Sequence, residues 1–257
     1  MMINMPIKET IQATFGFVAK ERKIFWTAIP MAAVMIIMVL ISQALVVCDN
    51  DTGECSSNWL ATIMMAIYAL FNIGIVVNYC RSVMGEEAPD FVSKNFGKRV
   101  LFYLAAVLAI SLFFVVVLIP CVVIMLLIND NPRMVTYILL MVVLPICGII
   151  FAPLLLALPA AIMGDKQWCN PLRLFKLAKG SHNAIFWGLI ITMLPDFAVN
   201  FIVVAVMVAA VGPQEAQGSL SIMVTALIMR LVTSALKGTY FGVIYRFFKK
   251  AESINRN

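Results

Sequence analysis

Apolar residues along the chain fall into six long blocks, at about 24–47, 59–80, 100–128, 135–163, 185–211 and 222–248, separated by short polar connections. They form continuous runs rather than the amphipathic stripes of helices lying on a soluble core. A hydrocarbon layer of about 30 Å needs about 20 helical residues to cross it. Each block therefore predicts one transmembrane helix, and the third and fourth are long enough to tilt or kink.

The polar connections predict an orientation. Basic residues gather before the first block (Lys8, Lys20, Arg22, Lys23), after the second (Arg81, Lys94, Lys98, Arg99), after the fourth (Lys166, Arg173, Lys176, Lys179) and at the chain end (Arg246, Lys249, Lys250, Arg256). The alternate connections hold only Arg133, while Arg230 and Lys237 lie inside the sixth block. Lys and Arg stay on the cytoplasmic side of a membrane. The pattern predicts a multi-pass protein of the bacterial cytoplasmic (inner) membrane with both termini cytoplasmic.

Composition agrees. Apolar residues make up 63% of 257 positions and charged residues 12%, with a mean hydropathy of +0.99. Soluble domains sit near half apolar and a quarter charged. The connections are too short for a folded soluble domain, so residues 1–257 read as one integral membrane domain. The net charge of +6 follows the alternation of loops, so no nucleic-acid partner is expected. Residues 1–23 are amphipathic and carry Glu9 and Glu21, unlike a cleavable signal peptide.

A longer rhythm overlies the blocks. In 4–22, Ile7, Ile11, Phe15 and Val18 recur at helical spacing opposite Lys8, Glu9 and Gln12, which predicts a helix along the membrane surface. In 170–180, Asn170 and Pro171 suit an N-cap and first turn. There Leu174, Phe175 and Ala178 share one side, and Arg173 and Lys176 the other. Segment 87–99 is less regular but ends in Lys94, Lys98 and Arg99. Ile24-Phe25-Trp26 is echoed by Ile185-Phe186-Trp187. The expected fold class is an all-α membrane protein of six transmembrane helices, built as three repeats of interfacial helix plus transmembrane hairpin. The plainer alternative is that any basic loop before a span looks partly amphipathic.

Candidate chemistry is sparse. Cys48 and Cys55 bracket an acidic, turn-rich insert on the expected outer side, where a disulfide persists; a divalent cation on Asp49, Asp51 and Glu54 is the other reading. Cys80, Cys121, Cys147 and Cys169 show no metal-ligand spacing. The single histidine, His182, has no nucleophile motif beside it, and no P-loop occurs. No enzyme activity, cofactor or metal is expected.

The polar residues out of place in lipid are Asp196, Asn200, Arg230 and Lys237. Asp196 lies about 11 residues into its span, roughly 16 Å deep, and Arg230 also falls near mid-depth. Neighbouring antiparallel helices would bring the two level, and an unpaired ion there is costly. Asn200 follows Asp196 by one turn, and Lys237 can snorkel. The pair is either a substrate or proton site or a structural pair fixing helix packing. Arg173, Lys176 and Lys179 form a basic set suited to anionic lipid. Prolines at 120, 145, 153, 159 and 195 predict local kinks, which transmembrane helices tolerate where neighbours re-satisfy the backbone.

One stretch resembles a known pattern. Leu156-Ala157-Leu158-Pro159-Ala160-Ala161-Ile162-Met163-Gly164-Asp165-Lys166 is a proline-containing span ending in an Asp-Lys turn. Leu174-Phe175-Lys176-Leu177-Ala178-Lys179-Gly180 and the basic end Tyr245-Arg246-Phe247-Phe248-Lys249-Lys250 complete it. Over roughly 96–250 this resembles the YciC-like group of bacterial inner-membrane proteins and, more distantly, the membrane domain appended to some glycerophosphodiester phosphodiesterases. Cys121 replaces the glycine that often follows the proline of the third span, and the outer cysteine loop lies outside the pattern. The resemblance implies six helices and an inner-membrane location, and supplies no catalytic residues. The expected role is non-enzymatic membrane or envelope organisation through membrane lipids, a membrane-protein partner or a second copy. The alternative is a small-molecule or ion transporter or permease subunit using the Asp196–Arg230 region.

Overall fold

In the computed structural model, residues 4–21, 29–30, 33–34, 36–38, 41, 59–85, 96–128, 132–212 and 220–256 are described. All regular structure among them is helical. Five helical stretches are long and apolar enough to cross a membrane: Thr62–Val83, Gly97–Val123, Met134–Met163, His182–Val211 and Val224–Ile254. They correspond to the second through sixth apolar blocks. Most of the first block lies outside the described residues, and its described positions are helical. The Cys48–Asp49–Asp51–Glu54–Cys55 loop and most of segment 87–99 also lie outside them.

Helix α1 spans Ile7–Lys20. Its buried face is centred on Thr10 and Thr14 rather than on the apolar stripe. Both hydroxyls donate to the carbonyl one turn back, Thr10 to Pro6 and Thr14 to Thr10, each at 2.8 Å. That bond satisfies the hydroxyls internally and lets the small threonines sit in a close helix contact. Ile7, Phe17 and Val18 pack beside them, while Ile11 is half-buried and Phe15 stays exposed. The apolar arc is thus divided between the bundle and the outside.

Helices α2 (Trp59–Val83) and α3 (Phe96–Ile128) follow. The fourth block is broken into pieces: α4 (Pro132–Ile138), a π-helical turn (Leu139–Val143), α5 (Leu144–Phe151), a 3-10 turn (Ala152–Leu156) and α6 (Ala157–Met163). Prolines explain the breaks. Pro145 has no N–H to give Met141 and its ring crowds that carbonyl, so the ladder widens just before it, with the Leu144 N–H reaching Leu139. Pro153 falls inside the 3-10 turn. Gly164, at φ 72°, takes the left-handed conformation that ends α6. A 3-10 turn (Lys166–Cys169), α7 (Pro171–Leu177), α8 (His182–Val211) and α9 (Leu220–Arg256) complete the chain.

The most extensive packing joins α2 to α9, then α8 to α9. Ser234, Gly238 and Gly242 recur every four residues on α9 and meet Asn72, Val76 and Cys80, spaced alike on α2. A side chain on Gly238 would overlap the Val76 backbone, and a Cβ on Gly242 would lie 2.8 Å from the Cys80 carbonyl oxygen. This is close small-residue packing of the kind that joins helices in lipid. Because both sets of numbers rise together, α2 and α9 run parallel. The chain between them must cross an odd number of times, which α3, the fourth block and α8 provide.

Candidate functional site

Polar side chains concentrate at two levels along α9. The inner level holds the ionisable residues singled out in the sequence. On α8, Asn200 Nδ2 donates to Asp196 Oδ1 at 2.6 Å and to the Asp196 carbonyl oxygen at 2.9 Å. Asp196 and Arg230 form no ion pair with each other among the described residues. Half-buried Lys237 instead lies within electrostatic reach of both charges, more strongly of Asp196. Tyr68 also lies in the field of Asp196 and Arg230, and its hydroxyl donates to the Leu227 carbonyl. Asn72 Nδ2 donates to the Tyr68 carbonyl at 2.9 Å, and Ser234 Oγ donates to Asn72 Oδ1 at 3.1 Å. The expected two-residue pair is therefore a looser neighbourhood that includes Lys237. Arg230, on a long side chain near the surface of α9, remains exposed.

The second level is a latch at the basic end. Asp165 accepts from the Tyr245 hydroxyl at 2.9 Å, with Lys249 Nζ 4.0 Å from the same carboxylate oxygen. Glu252 accepts from Trp168 Nε1 at 3.1 Å and pairs with the Arg173 guanidinium, which also donates to Gln167 Oε1 at 3.1 Å. The Trp168 and Tyr245 rings stand edge to face at 4.8 Å, both buried. The connection 164–178 is thus fastened to the last turns of α9. Asn170 caps α7 by accepting from Leu172 N at 3.0 Å, with Pro171 in the first turn. Leu174 and Ala178 are buried beneath it. Met5 N donates to Ser181 Oγ at 3.0 Å, which ties the start of α1 to the same region.

Of the basic set, Arg173 is occupied by the latch, whereas Lys176 and Lys179 are exposed. His182 packs its ring against Phe175 at 5.9 Å. Asp165, Trp168, Tyr245 and Glu252 were not singled out in the sequence as functional residues. No local motif announces a bond across about 80 residues of chain, such as Tyr245 to Asp165. The Gly238-x-x-x-Gly242 spacing is a legible signal of helix packing. Among the described residues no three His, Cys, Asp or Glu side chains gather to hold a metal ion.

Away from α9, an apolar groove of about 580 Å³ runs between α3, α6 and α7. Its lining includes small side chains, Ala105 and Ala109 on α3 and Ala157 and Ala161 on α6. Phe102, Phe113, Leu172 and Phe175 wall it. Lys98 Nζ stands 5.9 Å above the centre of the Phe102 ring.

Compared with family models, curated proteins and solved structures, the chain matches none. Among the described residues the fold is all-helical, with several helices long and apolar enough to cross a membrane.

Proposed function

We propose that the protein is a non-enzymatic multi-pass component of the bacterial inner membrane, with its basic end in the cytoplasm, that organises membrane through lipid or protein partners. The observation that carries this reading is the latched basic end. Two buried aromatic residues, Trp168 and Tyr245, and two carboxylates, Asp165 and Glu252, hold α7 in place. Leu172, 75% exposed, and the exposed Lys176 and Lys179 stand at its free edge. An exposed apolar residue followed by lysines suits a helix at the boundary of hydrocarbon and anionic headgroups. The likeness to the YciC-like group fits the same reading. The segments that carry it, 156–166, 174–180 and 245–250, meet in this latch through Asp165, Leu174 and Tyr245.

Crosslinking in intact cells, followed by purification and identification of captured lipids and proteins, tests it. The expected result is enrichment of anionic phospholipid or a membrane-protein partner, reduced in Lys176→Gln/Lys179→Gln. Substrate flux through the protein in proteoliposomes, abolished by Asp196→Asn, would replace this reading with a transporter. The Asp196–Lys237–Arg230 neighbourhood is the observation that supports that second reading.

A further inference from the structure

Arg230 has neither an ion pair nor a hydrogen bond among the described residues. Ionisable residues inside a membrane bundle face its interior or an aqueous cavity, because an ion alone in hydrocarbon is costly. The helix faces around Arg230 show which applies. On α9, Arg230 and Lys237 lie two turns apart, and Phe241, Ile244 and Phe248 continue the same face at helical spacing. Those last three are buried in the main core with Leu156, Ala160 and Ile162 of the fourth block. On α8, Asp196 and Asn200 continue the face of Ile185, Leu189 and Thr192, and on α2, Ala69 and Ala66 continue the face of Val77 and Ile73. Ile185, Leu189, Val77 and Ile73 belong to that same core. Each face is packed toward the basic end. Away from it Ala66, Ala69 and Arg230 are exposed, and Asp196, Asn200 and Lys237 are half-buried.

Three faces that meet below therefore separate above, and the charges line the separation. The fourth block permits it. Helix α9 packs on that block mainly through the 3-10 turn Ala152–Leu156 and α6. Beyond that turn α5 leans on α8, where the Phe186 ring fills the space beside Gly148. Ile36 of the first block packs against the cluster of Tyr68, Phe71 and Ile75, across α2 from Ala66 and Ala69. Charge then says what fits. Lys237 lies within electrostatic reach of Asp196, so these two offset each other, and Arg230 leaves the opening net positive. A guanidinium presents a planar fork of donors that matches the paired oxygens of a carboxylate or phosphate. Arg230 sits about 8 residues, or roughly 12 Å, inside the outer end of its span. That is below the headgroup layer, so a small soluble anion reaches it and a lipid phosphate does not.

We infer that the opening between α2, α8 and α9 binds a small soluble oxyanion, a carboxylate or a phosphate, on the Arg230 guanidinium, entered from the side opposite the basic end. The inference goes beyond the lipid- and partner-contacting reading and does not rest on it. It names the ligand class that the second reading, a transporter, requires.

The test uses the full chain in nanodiscs, with Ala69→Cys as a reporter on α2 and Val116→Cys on the exposed side of α3 as a control. Each is treated with a methanethiosulfonate bearing either a sulfonate or a trimethylammonium group, and modified peptides are mapped. These reagents attack thiolates in water, so Ala69→Cys should label and Val116→Cys should not. With each rate divided by that for a free thiol in solution, the sulfonate reagent is expected to react at Ala69→Cys about tenfold faster than the trimethylammonium reagent. Arg230→Gln should abolish that preference, and Arg230→Lys should keep it, which separates charge from folding. Millimolar phosphate or succinate should slow labelling at Ala69→Cys, the more effective of the two naming the oxyanion, and should not do so in Arg230→Gln. Ala69→Cys as unreactive as Val116→Cys, equal normalised rates for the two reagents, or labelling unaffected by both anions each overturns the inference. Capture of lipid through Lys176 and Lys179 is read separately, so failure here leaves the proposed function standing, and failure there leaves this site standing.

Discussion

The third and sixth spans differ in a way that reverses the logic of soluble proteins. Within α3 the most apolar window is the richest of the five described spans, yet none of it is buried in the bundle. Within α9 the corresponding window is the least apolar of the five, and 67% of it is buried. In lipid, an apolar side chain gains little by leaving hydrocarbon for protein, so helices associate through close packing and polar contacts. That is what α9 offers: Ser234, Gly238 and Gly242 against α2, and Tyr240, whose hydroxyl donates to the Ile185 carbonyl at 2.7 Å over Gly188 of α8. Helix α3 offers leucine, valine and phenylalanine to the outside and touches the bundle mainly through α6.

The largest expected effect tests this contrast directly. Gly238→Leu forces a side chain into the Val76 backbone and should cost about 3 kcal/mol, the upper range of overpacking, or prevent assembly. Gly238→Ala should still destabilise, because its Cβ meets the same carbonyl. Val116→Leu on the exposed side of α3 should stay within about 0.5 kcal/mol. Thermal unfolding in nanodiscs compares the three. Equal losses at 238 and 116 would mean that α3 is as much a part of the core as α9.

The next effect concerns the latch that joins the fourth block to α9. Glu252→Ala removes the partner of both Trp168 Nε1 and Arg173. The ion pair is about a quarter exposed on each side, at 27% and 21%, so solvent weakens it. A cost of about 1–2 kcal/mol is expected, mostly from the buried indole losing its acceptor. Hydrogen exchange should accelerate in 166–177 and stay unchanged in the α2–α9 contact. Protection that falls along all of α9 would show that the latch supports the core rather than hanging from it.

The same contrast explains what was legible beforehand. Hydropathy marks spans because each must match a slab of fixed thickness, and the second through sixth blocks recur as helices within a few residues. It overlooks how far α9 continues, to Arg256, because Lys249, Lys250 and Glu252 are good helix formers but not apolar. It also treats 135–163 as one helix, although the prolines in it permitted breaks at 139–143 and 152–156. The helix at 170–180 is seen at Pro171–Leu177, fixed by the cap that Asn170 and Pro171 signal. For 4–22 the helical period is visible, but its docking face is not: the fit depends on Thr10 and Thr14 being small, and on hydroxyls that bond within their own helix. The latch pairs residues far apart in the chain, and one sequence carries no record of such pairing. Three-fold repetition of interfacial helix and hairpin stays a proposal, since the described residues include such a helix before the first and fifth blocks only.

The smallest effect expected lies among the intramembrane charges. Depth arithmetic places Asp196 level with Arg230, but level is not the same as facing. Asp196 instead holds Asn200 at 2.6 Å on its own helix, and Lys237 on α9 lies within its electrostatic reach. Polar couplings between membrane helices average about 0.6 kcal/mol, because the separated helices also find partners. A double-mutant cycle on Asp196→Asn and Lys237→Gln should therefore give about 0.6 kcal/mol, read by thermal unfolding in nanodiscs. The cycle with Arg230→Gln should give less, since the two side chains do not pair. Asn200→Ala should reduce the cost of Asp196→Asn, because the charge-assisted hydrogen bond that Asp196→Asn would weaken is already gone. A coupling of about 2 kcal/mol or more between 196 and 230 would mean that the two close into a direct pair in the bilayer. The intramembrane charges would then belong to the packed core, and the contrast between α3 and α9 would rest on ion pairing as well as on small residues.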